Sequence, residues 1–306
     1  MPDSATSPRD GSTGDGFDPD APPLKYDHRA LVSTSHQGPL AIVADDGQIE
    51  WQFDYTALGD EANDAWLLPS GNVVFAYKNG VEELTPNKSL VWHYTAPAGT
   101  EMPSVQPLAG GHFLIGEVHG GGVAYLRELD ATGQLQSSVT VNSGNAGLGT
   151  HGQFRQIRKT PQGTYLVTYI DIDKAREIDA AGKMIREFPC GSFVAIRLPD
   201  NNTLIACGDS HRVIEVDPQN NIVWEVNNTS VADLTGFACG LQRLPNGNTV
   251  ICSWPGHLPS DPHGPQCFEV TRDKKVVWEL KNPDLHWVST IELVDPAAKV
   301  GGAVLR

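Results

Sequence analysis

At 306 residues, with 40% apolar and 19% charged side chains, the chain can bury a full core as one large domain or two ordinary ones. Its formal net charge of −15 repels phosphate backbones and excludes nucleic acid as a natural partner. No run approaches the roughly 18 apolar residues of a membrane span, while 31 glycines and 22 prolines point to many short strands joined by turns.

Residues 1–24 form an acidic, Pro/Gly/Ser-rich segment with five aspartates and one arginine, expected to be disordered. It has neither the basic start nor the apolar stretch of a signal peptide. Its composition is that of a spacer following a removed signal or lipoprotein anchor. The expectation is an exported bacterial protein (periplasmic, surface-tethered or secreted) with its leader, and any lipid anchor, removed ahead of residue 1.

Residues 25–306 read as one repeating body. RALVSTS, PLAIVAD and QIEWQF are three strands near its start, and Phe193–Val226 shows the full unit: FVAIRL, NTLIAC, RVIEV and IVWEV, separated by PDNN, GDSH and DPQNN. This is a four-stranded antiparallel meander. The turn before its last strand recurs six times, ending at Trp51, Trp92, Ser137, Arg186, Trp224 and Trp278, with spacings of 38 to 54 residues. The first hairpin recurs as WLLPSGN, PLAGGH, KTPQGT, RLPDNN and RLPNGN, and the third strand keeps Glu83, Glu128, Glu177, Glu215 and Glu269 in register. Six such units predict an all-β fold, a six-bladed β-propeller in which each blade covers the apolar face of the next. The C-terminal WVSTIELV is a first strand without followers. It completes the N-terminal three strands, so the ring closes by joining both ends of the chain in one blade.

This topology puts the short, similar turns on one face. The variable loops between second and third strands and between blades lie on the other, where function belongs. Residues present in every blade are architecture: the repeated tryptophans pack between blades, and the repeated glutamates face solvent or satisfy strand neighbours. Five cysteines, Cys190, Cys207, Cys239, Cys252 and Cys267, show no metal-binding spacing. They read as buried small hydrophobes, with Cys190–Cys207 and Cys239–Cys252 as the bridges left open.

Seven of the ten histidines fall on the irregular face. His36, His119, His211, His257 and His263 lie in second-to-third-strand loops, and His151 and His286 in blade connections. Imidazole suits metal ligation or proton transfer near neutral pH. His151, His211, His286 and Arg212 are the candidate catalytic residues. His36, His119, Arg155, Asp171, Asp209, Trp66, Trp254 and Trp287 are the candidate ligand-binding residues, with Arg158, Asp173 and Glu117 as further one-off polar groups. His257 and His263 are the candidate ligands for a divalent metal. Arg155 and Arg212 can fork onto a carboxylate or sulfate, and the three tryptophans can stack on a sugar ring or plug the channel. No nucleophile elbow, P-loop, Rossmann glycine pattern or HExxH is present.

LPNGNTVI followed by FEVTRDKKVVWEL resembles the quinoprotein-like propellers, and more closely their arylsulfotransferase-like branch. That resemblance implies six blades with histidine and arginine on the channel face. It also implies sulfuryl transfer through a histidine, with GDSHRVIEVD placing His211 and Arg212, and His151 ahead of a first strand. Quinoprotein dehydrogenases have eight blades with a repeated tryptophan docking motif, so PQQ is not expected.

Three functions follow. The first is a lyase, isomerase or transferase acting on a carbohydrate or small anionic ligand, with a histidine as acid/base or metal ligand. The second is a non-catalytic scaffold recognising a glycan or protein, and the third is arylsulfotransferase-like transfer.

Overall fold

The structure is a computed structural model describing residues 28–35, 38–145, 147, 149–231, 236–255, 264–295, 298–300 and 303–306. The acidic segment 1–24 lies outside the described residues, as do His36, His257 and His263.

Six four-stranded antiparallel sheets are arranged as propeller blades. In blade 1 the inner strand is Val288–Leu293 and the next three are Ala30–Thr34, Leu40–Val43 and Ile49–Phe53, so the two ends of the chain share one sheet as the sequence predicts. The inner strands of blades 2 to 6 are Ala62–Leu67, Glu101–Pro107, Phe154–Lys159, Ala195–Arg197 and Phe237–Arg243. Among the described residues helix is confined to short 3₁₀ turns, Ala109–Gly111 and Ile170–Ile172 among them, and no helix is long and apolar enough to cross a membrane.

The core sits in the seams. Leu31 and Leu40 of blade 1 pack with Phe75 of blade 2, and Leu126 of blade 3 with Ile157 and Val167 of blade 4. A larger cluster runs through blades 5, 6 and 1. No blade could keep its apolar faces dry alone, so each stabilises the next. The repeated tryptophans cross these seams: Trp51 Nε1 donates to the Pro86 carbonyl of blade 2 at 2.9 Å, and Trp224 Nε1 to the Arg272 carbonyl of blade 6 at 2.8 Å.

The repeated glutamates do more than satisfy their own strands. Each is held by the first hairpin of its blade or by a cation from the next. Glu128 accepts Lys159 of blade 4 at 2.7 Å, and Glu177 accepts Arg197 of blade 5 at 2.6 Å. Glu215 accepts Asn202 of its own blade at 2.8 Å, Arg243 of blade 6 at 2.7 Å, and Arg272. Glu269 meets His28, ahead of blade 1, at 2.6 Å. These four are inter-blade clasps, while Glu83 accepts Asn72 of its own blade, and Glu215 and Glu269 are buried.

On the trimmed face, the turn between third and fourth strands has a left-handed residue in all six blades: Gly47, Lys88, Gly133, Gly182, Asn220 and Lys274. The recurrent turn is thus a backbone requirement, met by glycine in three blades and with strain by lysine in two. Cys190 and Cys207 form a disulfide across the entry to blade 5. Cys239, Cys252 and Cys267 are buried and unbridged in this structure, so the Cys239–Cys252 bridge left open by the sequence is not formed in it, and Cys239 donates to the Cys252 carbonyl at 3.3 Å.

Candidate functional site

Five of the six inner strands carry one extra residue near their start, on the irregular face. The register slips between Val288 and Thr290, Ala62 and Asp64, Glu101 and Ser104, Phe154 and Ile157, and Ala238 and Leu241. A bulge bends the strand and re-aims its side chains, so the channel mouth is lined by residues taken out of the regular alternation. Four non-glycine residues on this face have left-handed backbones, Glu61, Asp173, His211 and Trp287, and conformations of this kind gather at functional sites.

The mouth holds a cavity of about 90 Å³. Glu61, Asn63, His151 and Arg155 make its polar side, Phe193, Phe237 and Trp254 its aromatic wall, and Ser35, Asp209 and Ser289 its remaining polar rim. Phe237 meets Phe193 and Trp254 edge-on, with centroids 6.3 and 5.5 Å apart. A larger hollow of about 790 Å³ lies at the outer rim, along residues 46–52 and 281–284. It is shallow and holds none of the candidate residues.

His151 is held from both sides. Its Nδ1 lies 3.1 Å from Glu101 Oε2, and its Nε2 3.4 Å from Glu61 Oε1. Thr150 donates to Glu101 at 2.9 Å, Lys78 stands 3.7 Å away, and Asn63 donates to the other oxygen of Glu61 at 3.1 Å. Burial works to raise the Glu101 carboxyl. Hydrogen bonds from His151 and Thr150, with the charges of His151 and Lys78, outweigh it and leave Glu101 below its ordinary value. The ring can exchange a proton with a carboxylate at either nitrogen. Because the two nitrogens diverge, Glu61 and Glu101 do not join His151 around one point. Among the described residues no three His, Cys, Asp or Glu side chains form a group able to hold a metal ion.

Arg155 uses Nη1 to donate to the His151 carbonyl at 2.6 Å and the Phe154 carbonyl at 3.0 Å. No carboxylate lies within ion-pair distance of it among the described residues. Burial lowers its pKa, against the opposing pull of Glu61 and Glu101.

Below the mouth the channel is polar and then closed. Gln156 donates to the Asn63 carbonyl at 2.7 Å and accepts from Arg158 at 2.7 Å. Arg158 forks onto Asp64 at 2.7 and 3.0 Å. Arg306 reaches Asp64 at 3.1 Å and Glu292 at 3.2 Å, while Arg243 donates its backbone N–H to the Leu305 carbonyl at 2.9 Å. Residues 303–306 thereby form the floor. Trp66 lies in that floor and not in the mouth: its Nε1 bonds the Val105 carbonyl at 2.7 Å, and the guanidiniums of Arg158 and Arg306 cover its ring at 5.1 and 4.4 Å.

Of the residues predicted from sequence, the structure therefore brings together His151, Arg155, Asp209 and Trp254. It places the other described candidates elsewhere. His119 pairs with the buried Glu117 at 2.7 Å, and Glu117 is further held by Arg127 and Tyr94. His211 is an exposed left-handed turn residue whose Nδ1 meets the Gly236 carbonyl at 2.7 Å. Arg212 faces Glu225 at 3.8 Å on the strand side of that turn. His286 is exposed beside Trp287, whose carbonyl accepts the Ser35 N–H at 2.9 Å. Asp171 sits in the short 3₁₀ turn with both carboxylate oxygens enclosed, and Asp173 accepts Ser192 at 2.6 Å. Glu61, Asn63, Lys78 and Glu101 escaped sequence reasoning. Glu61 and Glu101 stand at the entry of two neighbouring inner strands, in GDEAN and GTEMP, and that shared position was the available signal.

Residues 42–244 match the family described as Mal s 1 allergenic protein-like; this is more than half of the chain, which therefore belongs to that family. The arylsulfotransferase-like branch is not the family matched. A protein of unknown function from Bacteroides caccae is similar in structure, with 29% identity, a TM-score of 0.78, and coverage of 86% of this chain and 97% of that one. Two more distant propellers share the fold alone. A catalytically inactive histidine-to-alanine form of virginiamycin B lyase from Staphylococcus aureus, with quinupristin, gives 12% identity, a TM-score of 0.53, and coverage of 83% and 95%. The calcium-binding protein regucalcin from Agrobacterium tumefaciens gives 13%, 0.56, and 80% and 91%. No curated protein matches the sequence.

Proposed function

We propose that the channel mouth binds a small ligand with a ring face and an anionic group, of which an acidic sugar is the fitting class, and that His151 exchanges a proton with it. One observation carries this reading: Arg155, without a carboxylate partner among the described residues, shares a cavity with His151 and the Phe237–Trp254 wall. A desolvated guanidinium favours an anion that the ligand supplies, and an aromatic face favours the apolar face of a ring. His151, buttressed by Glu101 and Glu61, has the arrangement of a general acid/base in a lyase or isomerase. A lyase fold neighbour is consistent with this chemistry without identifying the substrate. The Cys190–Cys207 disulfide supports an exported location, since disulfides persist in oxidising compartments.

Saturation-transfer NMR with a hexose and its uronic acid tests the proposal. The uronate should bind wild type more tightly than the neutral sugar. Arg155→Gln should remove that preference, a loss of about tenfold for one charge-assisted contact, and Trp254→Ala should weaken both sugars. Absence of saturation for both sugars, or an Arg155→Gln protein that keeps the preference, would overturn it. If binding stands, release of solvent-exchanged hydrogen from the bound uronate, lost in His151→Ala, tests the acid/base role.

A further inference from the structure

We propose that Cys252 and Cys267 form a second disulfide of this chain, joining two strands at the base of the connection through residues 255–266. Cys252 belongs to the strand Thr249–Trp254 and Cys267 to Cys267–Val270, and the two are directly opposite in the antiparallel register. Opposed residues of such a pair have Cα atoms about 4.5–5.5 Å apart with side chains on the same face, within the roughly 4.4–6.8 Å that a disulfide spans. The sulfurs are 3.0 Å apart. A covalent bond of about 2.05 Å therefore needs only a small further approach. Cys239, the third buried thiol of blade 6, also contacts the Cys252 side chain, but it lies in the bulge between Ala238 and Leu241 and donates to the backbone carbonyls of Cys252 and Val288 at 3.3 and 3.8 Å. Only Cys267 stands in regular register opposite Cys252, so the register selects the Cys252–Cys267 pairing. The Cys190–Cys207 bridge in the neighbouring blade shows independently that this chain carries cysteines in the oxidised state.

Both thiols are completely buried, and burial pushes their pKa values up. In the closed blade they are poor nucleophiles, so the bond forms during folding, before the blade 5–6–1 core seals. One cysteine thiolate attacks the disulfide of a glutathione-class oxidant and expels one thiolate. The second cysteine then attacks the mixed disulfide and expels the other. Two protons and two electrons pass from the cysteine pair to the oxidant, whose S–S bond becomes two thiols. Trp254 is two residues from Cys252, so the link also fixes this part of the cavity wall.

Peptide mapping of the full chain, folded in a glutathione redox buffer, denatured, alkylated with iodoacetamide and cut with trypsin, tests the inference. Cys252 and Cys267 fall in one tryptic peptide, residues 244–272, while Cys239 falls in residues 213–243. The expected 244–272 peptide carries no alkyl group and is lighter by two hydrogens than its dithiol, while the Cys239 peptide is alkylated. Reduction before alkylation should add two alkyl groups to the 244–272 peptide. Two alkyl groups on that peptide without reduction, or a covalent link from it to any other peptide, would overturn the proposal.

Discussion

Glutamate serves two different ends in this molecule, and the contrast separates scaffold from site. At the seams, Glu215 is 2% exposed and clasped by Arg243 and Arg272 of the next blade, an arrangement repeated with other cations at Glu128 and Glu177 and with the His28 ring at Glu269. At the mouth, Glu101 occurs once, is held by a histidine, a threonine and a distant lysine, and borders a cavity. Both carboxyls lie below their ordinary value. In each, burial opposes the shift: arginine charge overcomes it at Glu215, and the His151 and Thr150 hydrogen bonds at Glu101. A seam glutamate has its partners built into the fold. A mouth glutamate spends its charge on a side chain that can also meet a ligand.

The largest expected effect is at the seam. Glu215→Ala takes the carboxylate from Arg243, which is fully buried, and should cost about 3–5 kcal/mol in chemical denaturation. A loss below about 1 kcal/mol would erase the distinction. Glu101→Gln should cost less, about 1–2 kcal/mol, and should weaken uronate binding by loosening His151. It also carries a pH signature. Because the Glu101 carboxyl is depressed in the folded chain, its contribution is complete above the ordinary value of 4.5 and is lost as pH falls through the lower folded value. Stability of Glu101→Gln should therefore fall less steeply than wild type across that acid window; equal slopes would show the contacts absent in solution. In His151→Ala, carboxyl-carbon NMR should find Glu101 moved upward, since the stronger of its lowering hydrogen bonds is gone. The smallest effect belongs to Lys78→Ala. This half-exposed pair at 3.7 Å should change stability by at most about 0.5 kcal/mol.

The same contrast explains what could be read from the chain. The ring, its closure through blade 1 and the six recurrent turns come from repetition, and repeated signals reinforce one another even when one copy, such as PLAGGH, departs from the rest. His151, Arg155, Asp209 and Trp254 were legible because they break the repeat on the irregular face. Glu61 and Glu101 are not, since each is a lone glutamate ahead of or at the start of an inner strand and the bulges at those strand entries have no sequence mark. His211 shows the converse error. A histidine in a variable loop looked chemical, yet its left-handed turn sends the ring to the backbone of blade 6. Trp66 departs from the repeated tryptophan register and packs against the two arginines of the floor.

The floor has a consequence for traffic. With Arg306 tied to Asp64 and Glu292 and Leu305 paired to Arg243, the axis of the ring is a cup and not a pipe. Whatever enters at the aromatic rim must leave by the same door. Under the proposed function, a ligand that lingers there blocks the next arrival, and exchange is governed by how quickly the cup empties.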